Sequence, residues 1–253
     1  MSQSNSQYIN YSIDAAVFII QINRPEKKNA LLPDMYRALG DGLKMADADP
    51  SINCIVIRGC DDCFTSGNDV SGFVGRSDSD EERPSVYFMR AIHTTVKPVI
   101  AAVSGLAIGI GTTLLFHCDL IYASQDCFLQ LPFTRLGLCP EAGSSWLLPQ
   151  QIGHVRASEL MLLGDRISAS KAKEYGIINE VLPQSEYLQF ALMRAKEIAA
   201  LPPQGVQVTK ALLKRDQGQA VTETIELELV KFAELLETDE AQAIVQAFLN
   251  RKK

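Results

Sequence analysis

The chain has 253 residues, of which 47% are hydrophobic and 21% charged, as is usual for a globular protein that buries a full apolar core. A formal net charge of −6 argues against a nucleic-acid binder, which would present a dominant basic surface. No stretch offers the roughly 20 consecutive apolar residues of a membrane-spanning helix. We therefore expect no nucleic-acid partner and no membrane association.

Neither terminus carries a recognisable targeting signal. Residues 1–7, MSQSNSQ, lack a basic segment followed by an apolar one, and the chain does not end in Ser-Lys-Leu. We expect a cytoplasmic protein. The cysteines form no pair of C-x-x-C units, which favours reduced thiols over disulfides or a metal site; they are Cys54, Cys60, Cys63, Cys118, Cys127 and Cys139.

The first half of the chain alternates between strand and helix patterns. Short β-branched runs at 17–22 and 54–57 predict strands, and apolar residues at helical spacing predict a helix over 33–46 between them. The segments 98–103, 110–116 and 120–123 repeat the alternation. This order is typical of an α/β protein whose sheet strands are joined by crossover helices.

From Ser144 onward the patterns become helical. Helices are predicted over 157–163, 170–175 and 187–200, followed by a long amphipathic tail. No Gly/Ser-rich or Pro-rich linker separates the halves, so we expect the helices to pack on the same body. The acidic segment 77–84 is predicted to be a surface loop.

A basic cluster follows the first predicted strand. Arg24, Lys27 and Lys28 lie in NRPEKKNAL, where they could form a local site for a polyanion. A solvated loop would show the same charges. Both interpretations stay open on charge alone.

Two glycine-containing segments could present backbone amides to a ligand. FTSGNDV (64–70) places Gly67 where the backbone must approach another group closely, although ordinary turns use the same residues. SGLAIGIGTTLL (104–115) leads from a strand into a helix, which aims free amides at an anion. A dinucleotide-binding fold is disfavoured because the third glycine of its fingerprint is missing.

A third segment, LGLCPEAGSS (136–145), holds Glu141 among apolar residues before a predicted helix. Desolvation there would raise the pKa of this carboxyl toward the range useful for acid–base work, whereas helix capping is the alternative role. A hydrolase using Ser144 or Ser145 is disfavoured because the glycine frame of a nucleophile elbow is missing and no histidine carries a partner signature; the histidines are His93, His117 and His154. His117 and Trp146 are interpreted as packed core residues.

Together these segments resemble the crotonase family. The resemblance rests on NRPEKKNAL, on the F-x-S-G-N-D and S-G-x-A-x-G-x-G forms of the two loops, and on CDLIYAS after them. It implies an α/β spiral of ββα units with a helical C-terminal region. It further implies a core at 1–195 holding a coenzyme A thioester, a trimerisation region at 196–253, and a homotrimer or dimer of trimers.

The resemblance also implies site residues. The backbone N–H groups of Asn68 and Ile110 match the two donors of the family's oxyanion hole, which polarises a thioester carbonyl. Coenzyme A would enter as part of the substrate, with no other cofactor and no metal. The implied substrate-binding residues are Ser66, Gly67, Asn68, Asp69 and Val70, with Lys27 or Lys28 near the phosphates.

Finally, the resemblance bears on the reaction. The two glutamates by which hydratases activate water fall at Thr113 and Phe133, neither of which accepts a proton at neutral pH. Glu141 instead matches the catalytic acid of the peroxisomal-type Δ3,Δ2-enoyl-CoA isomerases, which implies that reaction. The alternatives are another crotonase chemistry, such as a hydratase, dienoyl-CoA isomerase or thioesterase, and a non-catalytic acyl-CoA-binding subunit.

Overall fold

The computed structural model describes residues 4–69 and 83–250. These residues form two sheets. The larger has six strands, in the spatial order β1 (Ile9–Asp14), β2 (Val17–Ile22), β3 (Cys54–Arg58), β5 (Val99–Val103), β7 (Leu120–Ser124) and β10 (Glu180–Leu182). The smaller has four, in the order β4 (Cys63–Thr65), β6 (Leu106–Ile108), β8 (Phe128–Gln130) and β9 (Arg166–Ser168).

From β3 to β8, successive strands of the chain belong alternately to the larger and the smaller sheet. It passes from β3 to β4, then from β5 to β6, and then from β7 to β8, and each new strand pairs in parallel with the previous strand of its own sheet. Among the strands of the described ranges, only β1 and β9 join their sheets by antiparallel pairing, with β2 and β8 respectively. This winding is the spiral of ββα units that the resemblance implies, so the fold prediction is confirmed.

Helices surround the sheets and make up the C-terminal region. They are α1 (Pro33–Ala48), α2 (Pro84–Thr94), α3 (Ile110–Thr113), α4 (Ser144–Ile152), α5 (His154–Leu163), α6 (Ala169–Glu174), α7 (Tyr187–Ala199), α8 (Pro203–Leu213), α9 (Gly218–Leu236) and α10 (Asp239–Asn250). A 3₁₀ turn, Leu114–His117, continues α3. The predicted amphipathic tail therefore comprises three helices, α8 to α10.

Alternation along the central strands divides the core into two parts. In β3, Cys54 and Val56 face α7, while Ile55 and Ile57 face the main core between the sheets. The face of α7 that meets the sheet carries Ala191, Ala195 and Ala199 after Tyr187, and these alanines let the helix lie close to the sheet. Because α7 spans 187–199, the predicted boundary at residue 195 falls inside this helix.

The structure differs from the prediction for Trp146 and agrees with the prediction of unpaired cysteines. Trp146 is only half-buried and packs against the core from its edge, so its interpretation as a core residue is corrected. All six cysteines are free thiols. The predicted loop at 77–84 lies almost wholly outside the described residues. Within 4–69 and 83–250, no helix is long and apolar enough to cross a bilayer.

Candidate active site

The two glycine-containing loops meet at one edge of the smaller sheet. They follow β4 and β6, which are adjacent and parallel, so their carboxyl ends lie side by side. The loops touch closely: a Cβ on Gly67 would lie 2.6 Å from the carbonyl oxygen of Ile108, and one on Gly111 would lie 2.6 Å from Cγ2 of Thr65. The absence of side chains at these positions therefore permits the approach.

This edge presents two backbone amides. Among the described residues, neither the Asn68 nitrogen nor the Ile110 nitrogen donates a hydrogen bond. The neighbours of Asn68 take up the pairing with Leu31, through Leu31 N to Gly67 O at 2.9 Å and Asp69 N to Leu31 O at 3.0 Å. Ile110 is the first residue of α3, and the first amides of a helix have no acceptor within it. Both positions are thus able to donate to a ligand oxygen.

The first loop is held by Tyr36, which the sequence interpretation did not single out, and by Arg24, for which it considered a different role. Tyr36 of α1 donates its hydroxyl to Oδ1 of Asn68 at 2.5 Å. Arg24 donates from Nη1 to Asp69 Oδ2 and to Ala30 O, both at 2.9 Å. The Arg24 residue is 9% exposed, and its buried guanidinium holds the loop. Arg24 is therefore not available to bind a polyanion, which corrects its assignment to the basic cluster.

Asn29 fixes the base of the same loop. Its amide donates to the carbonyl oxygens of Ile22, Cys63 and Phe64, and its Oδ1 accepts from Arg24 N at 2.7 Å. Its backbone is left-handed, with φ 54°, a conformation that asparagine tolerates better than most residues. One buried amide thus ties the NRPEKKNAL segment to β2 and β4.

The remaining predicted binding residues fall into three groups. Ser66 donates its backbone N–H to Lys28 O at 3.0 Å, which joins the two segments. Lys27 and Lys28 are exposed, and Lys28 Nζ lies 3.6 Å from Asp62. Their contact with phosphates stays a prediction. Val70 lies outside the described residues.

Glu141 lies on a strained turn just before α4. The residue is 5% exposed and so does not point into bulk solvent. The two residues after it are left-handed, Ala142 with φ 61° and Gly143 with φ 70°. For alanine this conformation costs about 1–2 kcal/mol, so the surroundings must hold it. Helix α4 has no acidic residue in its first turn, so helix capping by Glu141 is wrong.

The carboxylate that caps α4 comes from α9. Glu228 accepts the Gly143 amide at 2.6 Å and the Ser145 amide at 2.9 Å. Burial raises the pKa of the Glu228 carboxyl, while the bonds from Ser145 and Gly143 oppose that rise. No local pattern around residue 228 signals this contact, because a glutamate in an amphipathic helix is usually on its solvent face.

His117 holds the turn from the other side. It is 2% exposed, and its Nε2 lies 2.7 Å from Ala142 O, so this nitrogen carries the hydrogen. The prediction of a packed histidine is confirmed. Ser144 Oγ has no hydrogen-bond partner in the part of the chain that the structure describes, so no histidine there activates it. A hydrolase that uses Ser144 as its nucleophile is therefore not supported.

The buried His117 ring predicts a measurable loss of stability in acid. Burial lowers the pKa of His117 to about 3, and His93, Lys214 and Lys210 add repulsion. Below about pH 6.5 the unfolded chain binds a proton that the folded chain does not, so this residue lowers the unfolding free energy as pH falls from about 6.5 to 3. The loss between about pH 7 and 5 should be about 2 kcal/mol.

Urea unfolding of His117→Gln at both pH values checks this expectation. The variant should lose less stability than the wild type between them, because it has no such titration. His154→Gln is the matched control, since His154 is exposed and its variant should follow the wild type. An acid loss in His117→Gln as large as that of the wild type would contradict the assignment.

The positions of the two hydratase glutamates are both buried. Thr113 lies on α3, three residues after Ile110, and is 0% exposed. Phe133 is 4% exposed. Neither position carries an ionisable group, so Glu141 is the acid–base candidate among the site residues singled out from the sequence.

The winding of the two sheets, with a pair of amides lacking acceptors at a shared strand edge, defines a crotonase-type spiral protein. The family model described as enoyl-CoA hydratase/isomerase matches residues 12–253. The chain therefore belongs to the enoyl-CoA hydratase/isomerase family, which is the crotonase family.

Similar proteins carry both isomerase and hydratase names. The chain is 32% identical over 239 residues to enoyl-CoA delta isomerase 2 of Rattus norvegicus, covering 92% of this chain but only 61% of that protein. It is 30% identical over 239 residues to 2,3-dehydroadipyl-CoA hydratase of Escherichia coli, covering 93% of each. The solved structure of an enoyl-CoA hydratase/isomerase from Pseudoalteromonas atlantica superposes with a TM-score of 0.94 at 36% identity, covering 97% of this chain and 98% of that one.

Proposed function

We propose that this chain is a Δ3,Δ2-enoyl-CoA isomerase, which converts a 3-enoyl-CoA into the trans-2-enoyl-CoA. The observation that carries the proposal is the burial of Glu141 on the turn before α4, where the resemblance places the acid–base residue of such isomerases. Among the described residues, one other glutamate is buried, and both oxygens of that residue, Glu228, accept amides of the turn. Glu141 is then the base.

The proposed reaction moves one proton. The Glu141 carboxylate removes a proton from C2, and the electron pair of that C–H bond delocalises over the thioester carbonyl and the C3–C4 double bond. The resulting dienolate takes the same proton back from Glu141 at C4, which leaves the double bond between C2 and C3. One carboxylate serves both carbons because they lie two bonds apart on one face of the dienolate.

The amides of Asn68 and Ile110 would stabilise the charge on the thioester oxygen. A preorganised backbone donor of this kind lowers the barrier by about 3–4 kcal/mol. Because the donors belong to the main chain, the side chains at these positions are free for other tasks. That of Asn68 accepts from Tyr36, and that of Ile110 packs in the core. At both positions the side chain has another contact and leaves the backbone N–H to donate, which supports the proposed oxyanion hole.

The direct test is incubation with a 3-enoyl-CoA while the absorbance of the conjugated 2-enoyl thioester is followed. We expect that absorbance to rise. Incubation with a 2-enoyl-CoA tests the hydratase alternative, because hydration would make the same absorbance fall. Rapid hydration without isomerisation would overturn the proposal, and binding without either change would favour the non-catalytic subunit.

Restoring one hydratase glutamate should not create a good hydratase. Thr113→Glu would add one carboxylate, but Phe133 still denies the attacking water its second partner. Hydration of a 2-enoyl-CoA by Thr113→Glu should stay within a few-fold of that by Thr113→Gln, the uncharged control of the same size. Brisk hydration by Thr113→Glu alone would show that Phe133 does not limit the reaction.

A further inference from the structure

We infer that Glu228 is a positioning residue, which acts with His117 to hold Glu141 in the orientation needed for proton transfer. This inference rests on the proposed role of Glu141 as the base and extends it to α9, a helix that follows the predicted core. The juxtaposition that carries it is a buried imidazole and a buried carboxylate at the turn directly after Glu141: His117 donates to the Ala142 carbonyl, and Glu228 accepts from the Gly143 amide.

The turn needs outside support. Ala142 is held in a left-handed conformation that alanine disfavours, and the direction of the Glu141 side chain depends on the backbone that follows it. His117 donates to the Ala142 carbonyl at 2.7 Å, and Glu228 accepts from the Gly143 amide at 2.6 Å. The peptide group that joins Ala142 to Gly143 is thereby held at both its oxygen and its N–H by side chains from elsewhere in the chain.

One buried face of helix α9 packs against this turn. Val221, Ile225 and Glu228 are all buried and lie at i, i+4 and i+7, which is one face of a helix. A Cβ on Gly143 would lie 2.9 Å from Cγ1 of Val221 and 3.3 Å from Cγ1 of Ile225, so the apolar members of this face lie directly against the turn. Glu228 then reaches the amides at the start of α4, where the helix dipole favours a negative charge.

The two hydrogen bonds from the turn explain why position 228 carries a glutamate. A carboxylate offers two acceptor oxygens, and Glu228 uses Oε2 for Gly143 and Oε1 for Ser145. A glutamine of the same shape keeps one acceptor oxygen and turns its amide NH2 group, a donor, toward the other N–H. Glu228→Gln should therefore loosen the turn while the Asn68 and Ile110 loops stay intact.

The test compares Glu228→Gln with Glu226→Gln. Glu226 lies on the same helix, is about half exposed and pairs with Arg90 on the surface, so its variant controls for loss of one charge from α9. We expect Glu228→Gln to lower kcat for isomerisation about 10- to 100-fold with KM little changed, because misplacement of a reacting group by about 1 Å has effects of that size. Glu226→Gln should match the wild type. Hydrogen exchange at the Gly143 and Ser145 amides should be faster in Glu228→Gln alone.

A second activity separates this inference from the proposed function. Exchange of the C2 protons of a saturated acyl-CoA in deuterated water reports proton removal by Glu141 without any double-bond migration. A wild type that exchanges but does not isomerise would remove the isomerase proposal and leave the positioning role standing if Glu228→Gln slows the exchange. A wild type that does neither would overturn both proposals.

Three further results would overturn the positioning role. The first is unchanged kcat in Glu228→Gln despite faster amide exchange, which would make Glu228 a helix cap only. The second is amide exchange in Glu228→Gln that equals the exchange in Glu226→Gln. The third is a loss of thioester binding in Glu228→Gln as large as its loss of kcat. If Glu228→Gln does not fold, Glu228→Asp keeps the charge but shortens the reach, and the same kcat loss with unchanged KM is expected.

Discussion

Glu141→Gln should lower the rate of double-bond migration by at least about 10²- to 10⁴-fold, the usual contribution of a positioned acid–base group. The glutamine has the same shape as the buried glutamate but cannot take a proton from C2. Binding of the thioester should change little, because the proposed contacts to its carbonyl come from backbone amides of other loops. Steady-state kinetics with a 3-enoyl-CoA and calorimetric titration with a saturated acyl-CoA measure the two effects.

Binding and stability are the controls for this variant. Equal loss of affinity and rate would mean that Glu141 helps to build the pocket rather than to move the proton. Full activity in Glu141→Gln would place the base elsewhere in the chain. Unfolding in urea should show a folded variant, since the neighbouring contacts of His117 and Glu228 are made with the backbone of the turn.

Gly67→Ala should also lower the rate, by about 10²- to 10³-fold, the effect of losing one oxyanion donor. Its Cβ would lie 2.6 Å from Ile108 O, a backbone atom of the second loop, so the loops must separate. That movement should displace the adjacent Asn68 amide, which we propose donates to the thioester oxygen. Kinetics with the same 3-enoyl-CoA measure the loss.

Gly176→Ala is the matched control for Gly67→Ala. Gly176 has φ 85°, close to the 89° of Gly67, so both variants carry similar backbone strain. A Cβ on Gly176, however, meets nothing within 4 Å. Both variants should therefore be less stable than the wild type, but only Gly67→Ala should also be less active. Similar kinetics for the two variants would show that loop contact at Gly67 does not position the amide.

Long apolar runs made the main strands predictable. The runs VFIIQI and CIVI lie in β2 and β3. They could be predicted because strands buried on both faces consist of continuous apolar, β-branched residues. Strands β4, β6, β8, β9 and β10 have three residues each, too few for any periodic pattern, and β1 lies at the sheet edge with mostly polar positions. These strands depend on their neighbours rather than on their own sequence.

The candidate site was predictable to the same extent. Asn68, Ile110 and Glu141 lie in short segments whose composition signals a tight turn, a helix start or an apolar setting for a carboxylate. The role of Arg24 was not predictable, because a sequence shows the charge of this residue but not its burial beside Asp69. The capping role first considered for Glu141 belongs to Glu228.

The sequence by itself determined the α/β class, the family resemblance, the two amide-presenting loops and the candidate base, because each depends on residues close together in the chain. Only the tertiary structure decided what holds them. The contacts of Arg24 with Asp69, of His117 with Ala142 and of Glu228 with Gly143 span 45, 25 and 85 residues. Burial and hydrogen bonding across such separations arise from packing of whole sheets and helices, which no local pattern encodes.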